Sequence, residues 1–198
     1  MALTLGLEVG CAELQGVGGI RRIYLRSWAT GDTVGFSNST TSHSITSIKD
    51  TGASTADWYI YEFKDQAPVL NVTAAKENGS TSFEMSLNFT VPYIGNEGAV
   101  SSPLARWQEM LDSCMMAMAL GNNGIYYVLG VSQKYRNESD ITRGQTYASL
   151  TAFEGTTGAA YNDDNQQVLT LSCKQYELPR IYKGTVTNYT SGNKATTN

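Results

Sequence analysis

Charged residues and histidine are scarce in this chain of 198 residues. Only 16% of the residues are charged and one is a histidine, whereas about a quarter of the residues of a typical soluble domain are charged. Threonine (22 residues), serine (18) and asparagine (13) are abundant instead, so we expect a surface rich in hydroxyl and amide groups. The net charge of −4 and the pI near 5.0 exclude the broad basic surface that holds nucleic-acid phosphates tightly.

Targeting and membrane signals are also missing from the sequence. The first ten residues contain no basic residue ahead of an apolar run, so no signal peptide is expected. No apolar stretch approaches the length of about 18 residues that a membrane-spanning helix needs, so no membrane partner is expected. Six Asn-x-Ser/Thr sequons are interpreted as by-products of a polar β composition, and they begin at Asn38, Asn71, Asn78, Asn88, Asn137 and Asn188.

Cysteine is rare, with three residues at Cys11, Cys114 and Cys173. Their odd number and wide spacing fit neither a disulfide framework nor a zinc site. We therefore expect three reduced cysteines that act as small hydrophobic residues, in a protein made in a cytoplasm.

Alternation of apolar and polar residues with a period of two predicts a mainly β protein. The clearest strand is residues 82–91, whose apolar face consists of Phe83, Met85, Leu87, Phe89 and Val91. An Asn78-Gly79 turn leads into it, and with the two strands before it this predicts an antiparallel meander. Eight strands are expected, over residues 19–28, 44–49, 58–63, 68–73, 82–91, 124–131, 145–153 and 167–176.

One segment departs from this period and predicts a helix of about five turns, from Pro103 to Leu120. Ser102 suits the N-cap, Pro103 the first helical position, and Gly121 the left-handed C-terminal cap. Core packing against a sheet is the favoured role of its apolar stripe, and a Met-rich binding face is the alternative. The stripe consists of Leu104, Trp107, Met110, Leu111, Cys114, Met115 and Met118.

Two stretches contain few large apolar residues. Residues 29–56 are predicted to form a loop or a long hairpin excursion, and residues 183–198 an extended C-terminal arm. Residues 1–182 are predicted to form a single domain that includes the excursion. We hypothesise that both stretches are arms that contact other subunits.

Catalytic motifs do not occur with the spacing that their chemistry needs. The Gly-x-Ser-x-Gly motif is absent, and a serine or cysteine nucleophile would have to use the single histidine, His43, which we interpret as a solvated loop residue. The glycine-rich segment 16–19 precedes a predicted strand, whereas a dinucleotide-binding loop opens a helix, so we interpret it as a turn. We predict no catalytic, cofactor-binding or metal-binding residue and no enzyme activity.

Carboxylates and tyrosines offer weaker candidates. Asp163 and Asp164 could ligate a hard cation, but they lack the calcium-loop spacing and a turn is favoured. Glu62, Asp65 and Glu84 could supply a carboxylate pair for glycoside hydrolysis, but any β protein offers such pairs. The tyrosines in predicted strands could form a sugar-stacking platform, but half-buried positions in the sheet are the favoured interpretation. They are Tyr59, Tyr61, Tyr126 and Tyr127.

The order of the parts resembles a known family. A glycine-rich lead into a strand (Cys11–Tyr24) is followed by the polar excursion, the meander, the predicted helix, a strand from Asn123 to Gly130, and the segment 155–174. This order resembles tail-tube-type structural proteins of tailed bacteriophages, particularly those of phages of Bacteroidetes hosts, including ring proteins of crAss-like phages. The resemblance covers about residues 10–178 and lies in the order of parts, with no signature motif.

The resemblance implies two packed antiparallel β-sheets, as a sandwich or barrel, flanked by one helix. It also implies homo-oligomeric rings, six-fold or a multiple, whose inner strands line a channel. Such a protein is made in the bacterial host cytoplasm and lies in the virion tail or collar, beside neighbouring rings and other virion proteins. DNA would pass without tight binding, which an acidic, low-charge protein suits because a basic channel would retain it.

Other functions stay open at this point. Within the virion, a head-to-tail adaptor or a capsid decoration protein is possible. In another functional class, the sequons and tyrosines are compatible with a carbohydrate-binding or adhesin β-sandwich, although the sequence contains no secretion signal for it.

Overall fold

Thirteen strands dominate the part of the chain that the computed structural model describes, and residues 108–111 form a single helical turn. The strands are β1 (Ile20–Ser27), β2 (Thr33–Phe36), β3 (Ser44–Lys49), β4 (Ala56–Glu62), β5 (Val69–Glu77), β6 (Ser80–Pro92), β7 (Met115–Gly121), β8 (Tyr126–Leu129), β9 (Ser149–Thr156), β10 (Gln166–Gln175), β11 (Arg180–Tyr182), β12 (Val186–Asn188) and β13 (Lys194–Thr197). The described residues are 18–29, 31–37, 43–63, 68–77, 79–92, 108–133, 147–156, 158, 166–188 and 194–197. The predicted mainly β fold with two sheets is confirmed.

The strands form a nine-stranded sheet and a four-stranded sheet. The larger sheet has the order β12-β13-β4-β1-β7-β8-β11-β3-β2, and the smaller has the order β5-β6-β10-β9. All the ladders are antiparallel except β11 with β3. Each of the eight strands expected from the sequence is present, with ends that shift by a few residues.

The four-stranded sheet follows the period-two pattern that predicted it. Its register places Leu169 opposite Phe89 and Leu171 opposite Leu87, so apolar residues of β6 and β10 share one face. That face packs against one side of β1 and β7 and forms the first core. Gly79 in the turn between β5 and β6 has a φ of 79°, the left-handed conformation that the predicted Asn-Gly turn needs.

The nine-stranded sheet curls around a second core on its other side. This core brings together Tyr24, Ile45, Trp58, Met118 and Ala195, which lie on strands from across the sheet. The Thr197 hydroxyl on β13 donates to the Ile48 carbonyl on β3 at 3.0 Å, so the two sides of the sheet approach each other. No backbone ladder joins β13 to β3 within the described residues, and the curled sheet is therefore not a closed barrel.

The predicted helix from Pro103 to Leu120 is wrong over residues 112–120, because the helical turn ends at Leu111 and residues 115–120 belong to β7. Residues 103–107 lie outside the described residues. Every residue of β7 is buried, because its odd-numbered residues face the first core and its even-numbered residues face the second. A strand that is buried on both faces lacks the alternation of apolar and polar residues that marks other strands. Its continuous apolar run therefore also fits the spacing of a helix.

Over the described residues 108–120, the predicted apolar stripe is not formed. Leu104 and Trp107 lie outside the described residues, Met110 is half-buried against the first core, and Leu111 and Cys114 are exposed. Met115 and Met118 lie on opposite faces of β7. Both therefore pack in the core, as favoured, but on a strand.

The predicted excursion over residues 29–56 contains the antiparallel hairpin β2–β3. Ile45 and Ile48 of β3 are fully buried in the second core, and β3 pairs in parallel with β11. The hairpin is therefore part of the larger sheet.

The tail also lies in the larger sheet. β12 pairs with β13, and β13 pairs with β4, which corrects the predicted extended arm over 183–198 for residues 186–188 and 194–197. The small side chains of Ala195 and Thr197 are buried, and the Trp58 indole N–H donates to the Thr197 hydroxyl at 2.9 Å. The described side chains of this segment include no large buried one. The segment is held by backbone pairing with β4 and by the packing of its small side chains near the Trp58 ring.

No helix among the described residues is both long and apolar enough to cross a membrane.

Candidate functional surface

The outer face of the four-stranded sheet is the most distinctive surface of the described protein. We call it the hydroxyl face. It lies on the side of the sheet away from the first core, at alternate positions of the four strands. Its polar uncharged residues are Asn71, Thr73, Ser80, Ser82, Ser86, Asn88, Thr90, Ser149, Thr151, Thr156, Gln166, Thr170 and Ser172, and Val69 and Val168 are exposed apolar residues on the same face.

Cross-strand hydrogen bonds connect side chains of the hydroxyl face. The Thr170 hydroxyl donates to Asn88 Oδ1 at 2.8 Å, and the hydroxyl oxygens of Thr151 and Ser172 are 2.9 Å apart. The Thr151 hydroxyl also lies 3.3 Å from the Thr170 carbonyl, where β9 and β10 shift register. These bonds hold short side chains in place, so the face is ordered at its centre.

Charge on the hydroxyl face is small. The charged side chains that the structure describes on this face are Glu84, Glu154 and Lys174. Lys174 Nζ lies 3.7 Å from Glu84 Oε1, with both side chains about half exposed, so two of the three charges are close enough to offset each other. The face can hydrogen-bond water or a neutral polar partner, and it offers little attraction for a polyanion.

A shallow groove of about 460 Å³ crosses the four-stranded sheet on its hydroxyl face. Hydroxyl groups of Thr73, Ser86, Ser149 and Thr151 line it, and the half-exposed ring of Tyr147 lies at its side. Sequence reasoning did not single out Tyr147, because it precedes β9 in a polar stretch with no distinguishing motif.

The structure separates His43 from the two described cysteines, Cys114 and Cys173. His43 is exposed at the start of β3, and its Nε2 atom lies 2.8 Å from the Leu178 carbonyl oxygen. Cys173 lies on β10 of the four-stranded sheet and is buried in the first core. This burial raises the pKa of its thiol to about 11. Cys114 is exposed, which corrects its predicted role as a core residue, and both cysteines are free thiols; Cys11 lies outside the described residues.

The two predicted carboxylate candidates that the structure describes, Glu62 and Glu84, do not come together. Glu62 lies on β4, where Oε1 is 2.5 Å from Arg22 Nε, whereas Glu84 lies on the other sheet. Asp65, Asp163 and Asp164 are outside the described residues. Across the ranges that the structure describes, no three His, Cys, Asp or Glu side chains are grouped to hold a metal ion.

The four tyrosines considered for a sugar-stacking platform do not form one. Tyr59 is exposed on β4, while the Tyr61 ring lies 6.4 Å from that of Phe89, beside the first core. Tyr126 packs against Tyr24 in the second core, and Tyr127 lines a different groove, beside β5.

Two buried ion-pair clusters were not predicted. The first joins β1 to the loops beside it, because Arg26 Nη2 lies 2.7 Å from Asp32 Oδ2 and 2.5 Å from Asp50 Oδ1. The Arg26 guanidinium also lies 5.7 Å from the Trp58 ring centroid. Because all of these groups pair within the chain at the end of the second core, the cluster is structural. The sequence around Arg26 contains no pattern from which burial of this charged residue could be predicted.

The second cluster connects the segment after β10 to the segment after β8. Arg180 donates to both carboxylate oxygens of Glu177, at 3.0 and 2.8 Å, and the Gln133 backbone N–H donates to the same carboxylate at 2.5 Å. Burial of Glu177 acts to raise its pKa, but the hydrogen bonds from Arg180 and Gln133 outweigh burial and lower the pKa. This cluster is also structural.

Comparison of the chain with protein-family models, with curated proteins and with solved structures finds no match.

Proposed function

We propose that the chain is a structural virion protein that assembles into rings and forms part of a phage tail or collar conduit for DNA. The observation that carries the proposal is the hydroxyl face, an ordered sheet surface on which uncharged polar side chains outnumber the charged side chains that the structure describes. Lining a channel with such a face lets a duplex pass without being held, because tight binding of DNA depends on neutralising its phosphates.

Open sheet edges support assembly with other copies. Among the described strands, β9 forms its ladder with β10 alone, and β2 with β3 alone. Unpaired edges present free backbone N–H and C=O groups to other chains, and a closed ring covers them. In this proposal the partners are further copies in a six-fold ring or a multiple of it, neighbouring rings and other virion proteins.

A lysine substitution tests which face lines the conduit. Ser86→Lys with Ser172→Lys places two cations on neighbouring strands at the centre of the hydroxyl face. Assembled rings of this variant should retain duplex DNA at low salt and release it as salt rises, whereas wild-type rings should not retain it.

The matched control is Ser54→Lys with Thr187→Lys, which adds the same charge at exposed positions away from the hydroxyl face. Equal DNA retention by both variants would overturn the placement of the hydroxyl face in the channel. Electron microscopy of the full-length chain tests ring assembly itself.

A second candidate function is neutral-saccharide binding at the groove beside Tyr147. An exposed aromatic ring next to several hydroxyl groups offers stacking and hydrogen bonding to a sugar. A glycan array with the wild-type chain and Tyr147→Ala tests it: hits that the substitution abolishes support it, and an array without hits counts against it.

A further inference from the structure

A mostly apolar groove of about 360 Å³ lies between the two sheets, along the free edge of β5. The start of β1 forms one side of the groove, to which the end of β7 adds Gly121 and the start of β8 adds Tyr127. Val69, Leu70 and Val72 of β5 form the other side. The groove therefore follows a sheet edge and lies where the first core meets solvent.

The inner face of β5 is incompletely covered. Val72 is opposite Met85 in the register of β5 and β6, and Leu70 is opposite Leu87. Both β6 residues are buried, at 1% and 0% exposure, whereas Val72 is 39% exposed. Among the described strands, β5 pairs with β6 alone. One more strand beside β5 would extend this apolar face by the width of a strand and cover Val72.

The sequence contains a nine-residue segment with a matching pattern. Residues 3–11 alternate strictly, with Leu3, Leu5, Leu7, Val9 and Cys11 on one side and polar residues or glycine on the other. β5 is also nine residues long. The longer stretches outside the described residues, 93–107 and 134–146, have no comparable alternation.

The chain also enters the described region at this groove. Gly18, the first described residue, lines the groove, and its carbonyl accepts from Asn122 Nδ2 at 2.8 Å. Two residues later, the Ile20 N–H donates to the Pro68 carbonyl, next to the start of β5, at 3.2 Å. Residues 12–17 connect this point to the alternating segment, a short span for a strand that ends beside β5.

We propose that residues 3–11 add as a strand, antiparallel to β5, along its free edge in the same chain. The alternation decides which residues face the groove, and among the registers that satisfy it we choose the one that places Cys11 opposite Leu70, close to the contact of Ile20 with Pro68. Val9 then lies opposite Val72 and Leu7 opposite Ala74. The four-stranded sheet then has five strands, and β9 remains as the edge open to another copy. This placement depends on the fold alone and is independent of ring assembly.

Disulfide trapping tests the placement and its register. Val9→Cys with Val72→Cys is made in the full chain with Cys11, Cys114 and Cys173 replaced by alanine, and an added oxidant accepts the two thiol hydrogens. Opposed residues on one face of a strand pair lie close enough for a disulfide, so an intramolecular bond should form. The control, Glu8→Cys with Val72→Cys, places the thiols on opposite faces of the sheet and should form the bond about tenfold more slowly or less.

Equal rates for the two cysteine pairs would overturn the register. A disulfide-linked dimer as the main product would overturn the same-chain placement and identify a second copy as the occupant of the groove.

Hydrogen exchange on the wild-type chain gives a test without substitutions. Backbone amides of β5 that point away from β6 should be protected, and deletion of residues 2–11 should speed their exchange by about tenfold or more while β10 is unchanged. Unprotected outward amides of β5 in the full-length chain would contradict the proposal.

Discussion

Arg26 and Arg180 are each only 7% exposed, and each pairs with carboxylates of the same chain. Removing a charge from water costs several kcal/mol, which close pairing and further hydrogen bonds must offset. Both clusters connect loops to strands at the ends of the nine-stranded sheet. At the scale of single residues, these contacts fix where the loops attach, and they are the positions most sensitive to substitution.

Arg26→Met should destabilise the fold by about 3–5 kcal/mol, because it leaves Asp32, which is 1% exposed, without its cation. The comparison is Arg22→Met, which breaks the more exposed pair with Glu62 and should cost at most about 1 kcal/mol. Urea unfolding followed by circular dichroism measures both. Equal losses would mean that Asp32 is not buried as described.

Glu177→Gln should lose stability relative to wild type at pH 7, and the difference should shrink in acid. The pKa of Glu177 is lowered in the fold, so its stabilisation is present above the usual carboxylate pKa of 4.5 and disappears as the pH falls through the folded value. Unfolding midpoints from pH 7 to pH 3 test this.

The control is Glu154→Gln, at an exposed position on β9, which should differ little from wild type over this pH range. A Glu177→Gln difference that grows on acidification would reverse the predicted sign.

At the scale of elements, the sequence predicts strands that have one buried face. Residues 82–91 alternate because one side of β6 faces the core and the other faces solvent, and β6 extends over Ser80–Pro92. β7 could not be recognised, because it is buried on both faces and its apolar run also satisfies helical spacing. β13 was missed for another reason: its burial depends on small residues packed near Trp58, far away in sequence.

The hydroxyl face was predictable in composition but not in position. The abundance of serine and threonine predicts a hydroxyl-rich surface, and this matches the face. Which side Thr151 takes depends on the register shift between β9 and β10, where it contacts Ser172. Such a shift leaves no signal in a single sequence.

Nuclear magnetic resonance distinguishes the strand from the helix over residues 115–120. The structure predicts cross-strand contacts between the backbones of Ala119 and Ile23 and between Ala119 and Tyr127, from the β1–β7 and β7–β8 registers. A series of contacts three residues apart along 115–120 would instead indicate the helix and contradict β7.

Thr197→Val should weaken attachment of the C-terminal strand. It removes the hydroxyl that accepts from the Trp58 indole N–H and donates to the Ile48 carbonyl, and it leaves both buried groups unpaired. Each buried group without a partner costs about 1–3 kcal/mol. Thr187→Val on β12 is exposed and serves as the control, with an expected change of about 0.5 kcal/mol or less. Equal unfolding midpoints for the two variants would contradict this role of Thr197.

At the scale of the whole molecule, the low charge, the hydroxyl face and the open sheet edges support a subunit that works by its surfaces. In the proposed conduit, the net charge of −4 disfavours retention of DNA, and the edges of β9 and β2, each paired with one described strand, are where further copies would add. Ring assembly is the central claim, because each of the other functional statements about the conduit depends on it.

The most direct test of ring assembly is the mass and shape of the purified full-length chain, by mass photometry with negative-stain electron microscopy over a range of concentrations. We expect rings of about six subunits or a multiple, with a central hole, or tubes stacked from them. A monomer of 21.5 kDa at every concentration, or a compact dimer without a hole, would contradict the proposed conduit.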